Sequence, residues 1–128
     1  MDANPLLSAL LGGVARDVIF SRKYTLYSTQ HTLFEVQKYL PYLAKRLERS
    51  EQDLLRAFQL LPVIACQPSQ YEAQLETASR LIGGRDPSDV QILALTLQIG
   101  CPVWTEDRDF DNLPGVLVRR TAQLRALL

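Results

Sequence analysis

Apolar positions along the chain switch repeatedly between helical and strand spacing, and the order of the switches predicts the fold. Leu33, Val36, Leu40 and Leu43 recur at three- and four-residue steps, which places one apolar stripe on a helix. Ser28 or Thr29 can cap its start, and Pro41 is expected to kink it or divide it in two. The same reasoning predicts a short helix over PLLSALLGG (5–13), with proline in the first turn and glycines as the stop, and a second over VARDVIF (14–20). Ser50 with Asp53 opens the helix SEQDLLRAFQLL, which ends before Pro62. SQYEAQLETASRLIGG (69–84) reads as one amphipathic helix closed by Gly83 and Gly84, and DPSDVQILALTLQIG (86–100) as a capped helix stopped by Gly100. TAQLRALL (121–128) reads as a closing helix. Between the helices lie YTLY (24–27), PVIAC (62–66), CPVWT (101–105) and VLVR (116–119), which are strand segments, with PVIAC expected to be buried.

Near-continuous apolar strands separated by helices indicate a parallel sheet covered on both faces. The expected fold class is therefore three-layer α/β/α with a central parallel sheet, built as a single domain over residues 1–128. Hydrophobic content of 47% with 22% charged residues excludes a disordered chain. Fourteen basic residues balance fourteen acidic ones, so attraction to a polyanion must come from a local basic patch or from bound cations. Cys66 and Cys101 are isolated in apolar contexts, with no CxxC pair, and read as buried reduced thiols. No apolar run approaches the roughly twenty residues needed to span a membrane, and MDANPLLSALLGG lacks the basic start of a signal peptide. A cytoplasmic protein with no membrane partner is the expectation.

The charge pattern changes the picture at one place. VWTEDRDF (103–110) crowds Glu106, Asp107 and Asp109 behind a strand, with Asp111 just beyond. Like charges this close repel unless something positive sits among them. A solvated turn is the plain alternative, and the positions of the other acids decide between the two. Asp2 precedes the first helix, Glu35 lies in the first turns of the helix after YTLY, and Asp86 and Asp89 open the helix that leads into CPVWT. In an open parallel sheet ligands bind at the carboxyl ends of the strands, and all of these positions can face that edge. Singly, each acid could be a helix cap or a surface residue. Together they suggest a site for a hard divalent cation, which takes carboxylate oxygens and keeps waters free to meet phosphate oxygens.

The ordered set DANPLL (2–7), Glu35 within TLFEV, RDPSDVQILALTL (85–97) and VWTEDRDF (103–110) resembles the PIN domain family of metal-dependent ribonucleases, and the resemblance spans nearly the whole chain. It implies a parallel sheet of about five strands between helices. It further implies an Mg²⁺- or Mn²⁺-dependent endoribonuclease acting on RNA, in many members the toxin half of a toxin–antitoxin pair, with an antitoxin protein and a homodimer as partners. By the match, Asp2, Glu35, Asp89 and Asp107 are the catalytic and metal-binding acids. Asp109 is a further metal-binding acid, and Asn4, Asp86 and Thr105 are supporting residues. The match departs at its start, because family members carry several apolar residues before the first acid as a central strand, whereas here only Met1 precedes Asp2. The expectation is that Glu35, Asp89, Asp107 and Asp109 converge, and that Asp2, without that strand before it, is the one acid free to stand away. The sheet could close by shifting YTLY and CPVWT together, by borrowing a segment from a neighbour, or by drawing Met1 and its flanks into the vacant slot.

Other chemistries fit less well. His31 is the only histidine and reads as a surface or cap residue. No serine sits at a glycine-rich elbow, and the paired glycines are followed by no phosphate-loop pattern. Trp104, Tyr24 and Tyr27 sit in strand contexts and are assigned mostly to the core, with an exposed one able to stack a base, while Arg16, Arg22, Lys23, Arg119 and Arg120 are the candidate contacts to a nucleic-acid backbone. A phosphoacceptor receiver domain would need an acid after the middle strand, where the chain has VIACQPSQ, and a lysine where it has Arg119. The surviving alternative is a PIN scaffold that binds nucleic acid or protein without turnover.

Overall fold

The computed structural model describes residues 1–83 and 86–128. Gly84, the second glycine expected to close the 69–84 helix, and Arg85 of the RDPSD motif lie outside the described residues. The chain opens with α1 (Ala3–Leu10) and α2 (Ala15–Phe20), then β1 (Leu26–Thr29), α3 (Gln30–Leu47), α4 (Glu51–Gln59) and β2 (Val63–Cys66). It continues through α5 (Leu75–Ile82), α6 (Pro87–Ile99), β3 (Val103–Trp104), β4 (Val118–Arg119) and α7 (Thr121–Ala126). The fold is α/β with parallel strand pairs, as the alternation of periods predicts.

Strand pairing departs from one continuous sheet. β1 pairs with β2, Leu26 opposite Val63, and β3 pairs with β4, Val103 opposite Val118, as two parallel ladders. Met1 and Asp2 occupy the space between them. The Met1 amino group donates to the Tyr27 carbonyl at 2.8 Å, and the Ser28 hydroxyl donates to the Met1 carbonyl at 2.8 Å. On the other side the Asp2 amide donates to the Trp104 carbonyl at 3.0 Å. Two residues are too few for a ladder of their own, yet they join the two sheets by their backbone groups.

Adjacent residues on a strand point to opposite faces, and two apolar clusters use that alternation. Leu26 and Trp104 enter one cluster with residues of α1 to α4 and Leu124 of α7, while Tyr27 and Val103 face the other with α5, α6, Tyr71 and Phe110. The strands therefore lie between two layers of helices.

Several elements differ from the expectations in ways that burial explains. The strand after Tyr24 is shifted by two residues, so Thr29 both ends β1 and caps α3, its hydroxyl accepting from the Thr32 amide. Pro41 does not divide α3, which runs unbroken over 18 residues. Pro41 and Gln37, four residues before it, are both exposed, so the carbonyl that loses its bond meets water. The expected single helix over 69–84 is two 3₁₀ turns, Pro68–Gln70 and Glu72–Gln74, followed by α5. Tyr71 interrupts it at φ −132°, because its ring is fully buried and its hydroxyl donates to Gln91 Oε1 at 2.5 Å. β2, expected to be buried, is an edge strand with Ile64 and Ala65 exposed. Cys66 is buried, where burial raises its thiol pKa, Cys101 is half-buried, and both are free. Among the described residues no helix is long and apolar enough to cross a membrane.

Candidate metal centre

The carboxyl ends of the strands and the starts of α1, α3 and α6 meet at one edge. Asp2 caps α1 there, with Oδ1 accepting from the Ala3 amide at 2.7 Å. Thr105, fully buried just past β3, donates its hydroxyl to Asp2 Oδ2 at 2.7 Å and accepts from the Asp107 amide at 2.9 Å. One hydroxyl thus fixes Asp2 and the turn that carries Asp107. Asp107 caps the short 3₁₀ turn Arg108–Phe110, its Oδ1 accepting from the Asp109 amide at 2.9 Å. Asp89 projects from the first turn of α6, which Asp86 caps through the Ser88 amide at 2.9 Å. His31, near the start of α3, bonds the Ser88 hydroxyl at 2.9 Å and so ties the starts of α3 and α6 together.

Asp2, Asp89 and Asp107 each bring an oxygen within 4.8 Å of the others, Asp2 buried and the other two half-buried. Oxygens on opposite sides of one hard cation lie roughly 4–5 Å apart at ligand distances of about 2.1–2.5 Å, so this donor set has the scale and chemistry to hold a divalent metal ion. The electrostatics agree. Burial, and after it the charges of Asp86, Asp2, Asp107 and Asp109, push the Asp89 carboxyl up to about 7. Without a cation the group therefore retains much of a proton at neutral pH, and a bound cation would stabilise the charged form.

The structure brings Asp2 into the group and leaves Glu35 outside it. Glu35 is exposed on α3 and pairs with Lys38 at 3.7 Å. Asp2 does not stand away, because the hydrogen bonds of Met1 and Asp2 to β1 and β3 anchor it. Asp109 is exposed and lies outside the group of three, although its charge acts on Asp89. Asn4 is exposed and lines an open cavity of about 750 Å³ with residues of α7. The crowding in VWTEDRDF resolves into separate duties. Glu106 accepts from the Thr121 amide at 2.7 Å and caps α7, while Asp111 pairs with Arg120 at 2.5 Å. Asp107 alone from that stretch joins the cluster.

Arg120 is an internal clamp rather than a free contact for a nucleic-acid backbone. Its guanidinium donates to the carbonyls of Thr105 at 2.7 Å and Asp107 at 3.2 Å besides pairing with Asp111. Of the other candidate contacts, Arg119 donates to the Val118 carbonyl, and the Lys23 ammonium donates to the Leu127 carbonyl. Trp104 is buried and Tyr24 half-buried against the core, bonding Thr121 and the Leu124 carbonyl. Arg120→Ala leaves those acceptors unpaired, and the expected loss is about 1–3 kcal/mol of stability. It should also weaken divalent-cation binding by about tenfold or more, since the turn beneath Asp107 loses its support. Arg120→Lys should restore little of either, because one ammonium nitrogen cannot span the acceptors that the two guanidinium nitrogens reach. Thermal melts and a metal titration measure both effects, and unchanged metal affinity in Arg120→Ala would remove the clamp from the site.

The sequence singled out all three clustered acids and Thr105, but not the roles of Ser88 and His31. Their signal was the Pro-Ser-Asp start of α6, where a serine in the first turn presents its hydroxyl to the neighbouring helix start. No curated protein and no solved structure matches the chain. The sequence profile of the PIN domain matches residues 1–128, the full length, so the chain belongs to the PIN domain family, whose members are generally nucleases that use divalent metals.

Proposed function

We propose that the protein is an Mg²⁺- or Mn²⁺-dependent endoribonuclease. The observation that carries this reading is the convergence of Asp2, Asp89 and Asp107 at the carboxyl ends of the parallel strands. A divalent cation bound there would neutralise charge on the scissile phosphate and lower the pKa of the attacking water. The chain's own part is to hold the ligands still. Asp2 is fixed at both oxygens by Ala3 and Thr105, and Asp107 is fixed through its amide and carbonyl by Thr105 and Arg120. Asp89 stands at the N-terminal end of α6, whose dipole favours the charged form of a carboxylate that burial disfavours. Asp86 and Asp109 add negative charge around the three ligands.

Hydrolysis by this route leaves 5′-phosphate and 3′-hydroxyl ends. The balanced net charge makes a bound cation a large part of the local attraction to RNA. The family resemblance extends the proposal to a toxin held inactive by a protein antitoxin, and to pairing as a homodimer. Incubation of single-stranded RNA with the protein tests the enzymatic reading. Cleavage is expected with Mg²⁺ or Mn²⁺, and none with EDTA. Cleavage that persists in chelator overturns the metal mechanism, whereas RNA binding without cleavage under any divalent ion makes the protein a binding module.

A further inference from the structure

Three large aromatic side chains of α3 face solvent, and the core does not account for them. Phe34 is 58% exposed, Tyr42 53% and Tyr39 43%. The apolar stripe of the same helix, including Val36, Leu40 and Leu43, is buried on the opposite side. At 3.6 residues per turn, Phe34, Lys38, Tyr42 and Lys45 fall within an arc of about 80°, with Tyr39 and Arg46 on its shoulder. Each aromatic has a cation within about one turn. The Lys38 ammonium sits 5.4 Å from the centre of the Phe34 ring, and the Tyr39 and Tyr42 rings lie 4.9 Å apart and tilted by 42°. Glu35 shares the face but is paired with Lys38. Lys45 and Arg46 are exposed and, among the described residues, make no ion pair.

Resting on the nuclease reading, we propose that this face of α3 is a track for single-stranded nucleic acid leading to the three acids. Stacking on an aromatic ring suits any base, and interleaved cations follow the phosphates, which is how strands are held without sequence preference. Duplex bases are already stacked and offer no faces to Phe34, Tyr39 and Tyr42. The track is continuous with the acid cluster. His31, one turn before Phe34, bonds Ser88, and Ser88 is the residue before Asp89. From His31 to Lys45 the helix rises about 21 Å, enough for about four nucleotides, the lower end of strand-binding sites. A face built to dock a protein would join its aromatics into one apolar patch and exclude charge from its centre.

The test measures binding separately from cleavage. Fluorescence anisotropy uses a labelled single-stranded RNA of about twelve nucleotides, its DNA counterpart and the matching duplex, all in EDTA. The wild-type protein is expected to bind both strands with affinities within a few-fold of each other and the duplex at least about tenfold more weakly. Phe34→Ala and Tyr42→Ala should each weaken strand binding by about tenfold, while Phe34→Tyr and Tyr42→Phe retain it. Lys45→Glu with Arg46→Glu should weaken it further and flatten its salt dependence. All these positions are exposed, so melting temperatures should stay near wild type.

No strand binding by the wild type, equal affinity for duplex, or alanine variants that bind unchanged each overturns the track. Sedimentation in which the alanine variants lose self-association but keep RNA affinity overturns it in favour of a protein interface. Strand binding that depends on Phe34 and Tyr42 in a protein that cleaves nothing with Mg²⁺ or Mn²⁺ refutes the nuclease reading and leaves the track standing. Cleavage indifferent to these residues does the reverse.

Discussion

Asparagine in place of Asp2, Asp89 or Asp107 should each lower metal-dependent RNA cleavage by about 10²–10³-fold or more, the scale on which a preorganised charge at a reacting phosphate acts. The substitution keeps the side chain's size and much of its hydrogen bonding, so the loss reads the charge. Asp2→Asn is the most informative of the three. Asp2 is buried, holds the start of α1 and receives the Thr105 hydroxyl, and an asparagine can present its carbonyl oxygen to one of those donors. Its fold should survive while its cation affinity falls. Glu35→Gln provides the contrast, since Glu35 lies outside the cluster and pairs with Lys38 on the surface. Its effect on cation affinity should be smaller than that of any of the three aspartates. Calorimetric titration with Mn²⁺ beside initial cleavage rates gives the ranking. Near-wild-type activity in Asp2→Asn, or a Glu35→Gln loss as large as that of Asp107→Asn, would move the metal away from the three aspartates.

That ranking also marks where the sequence stopped being legible. Local pattern put Asp89 in the first turn of a capped helix and Asp107 directly after a strand, and the family resemblance chose them over Asp86, Glu106 and Asp109. Both positions sit at the carboxyl edge of any parallel sheet. Asp2 could not be judged that way. Its anchorage comes from Tyr27, Ser28, Trp104 and Thr105, partners far away in the chain, and no local window contains them. Glu35 shows the opposite case, since it lies outside the group of three. Its place in the first turns of α3 suggested convergence, but a helix presents side chains around its full circumference, and this one leans to Lys38.

The same division runs through the fold. The alternation of strands and helices along the chain and most helix starts were readable because caps and periodicity are local, whereas the division of the strands into two ladders was not. The split of the 69–84 segment was not, because burying Tyr71 against α6 outweighs the helical spacing of its neighbours. The crowded acids of VWTEDRDF are the clearest case. A count of like charges suggested one shared purpose, whereas Glu106 and Asp111 are taken up by Thr121 and Arg120, residues that come after them in the chain. The aromatics of α3 were visible in the sequence but lay off the core stripe, and only their exposure gave them meaning.

Divalent cations should stabilise the fold strongly, and the gain should depend on pH through Asp89. At a cation concentration about a hundred times its dissociation constant, binding to the folded state alone adds about 2.7 kcal/mol. For a chain of this size that corresponds to a rise of roughly 10 °C in melting temperature. Without cation the sign reverses. The Asp89 carboxyl titrates at about 7 in the fold against an ordinary value of 3.8, so the folded state holds the proton more tightly than the unfolded chain. That contribution is fully present below about pH 4 and is lost as the pH rises to 7. Taken at face value the shift is worth about 4 kcal/mol. Because Asp89 is only half-buried, solvent screening brings the expected cost at neutral pH to about 1–2 kcal/mol. Asp89→Asn with Asp107→Asn should therefore melt higher than wild type in EDTA at pH 8, match it more closely at pH 4, and show no rise with Mn²⁺. In the wild type the Mn²⁺ gain should grow from pH 5 to pH 7 as the proton gives way to the ion. Paired melts of the two proteins across that range, with and without Mn²⁺, measure every one of these differences. A double variant that melts lower than wild type in EDTA at pH 8 would mean that the two carboxylates hold structural partners, and the crowding that points to a cation would be only apparent.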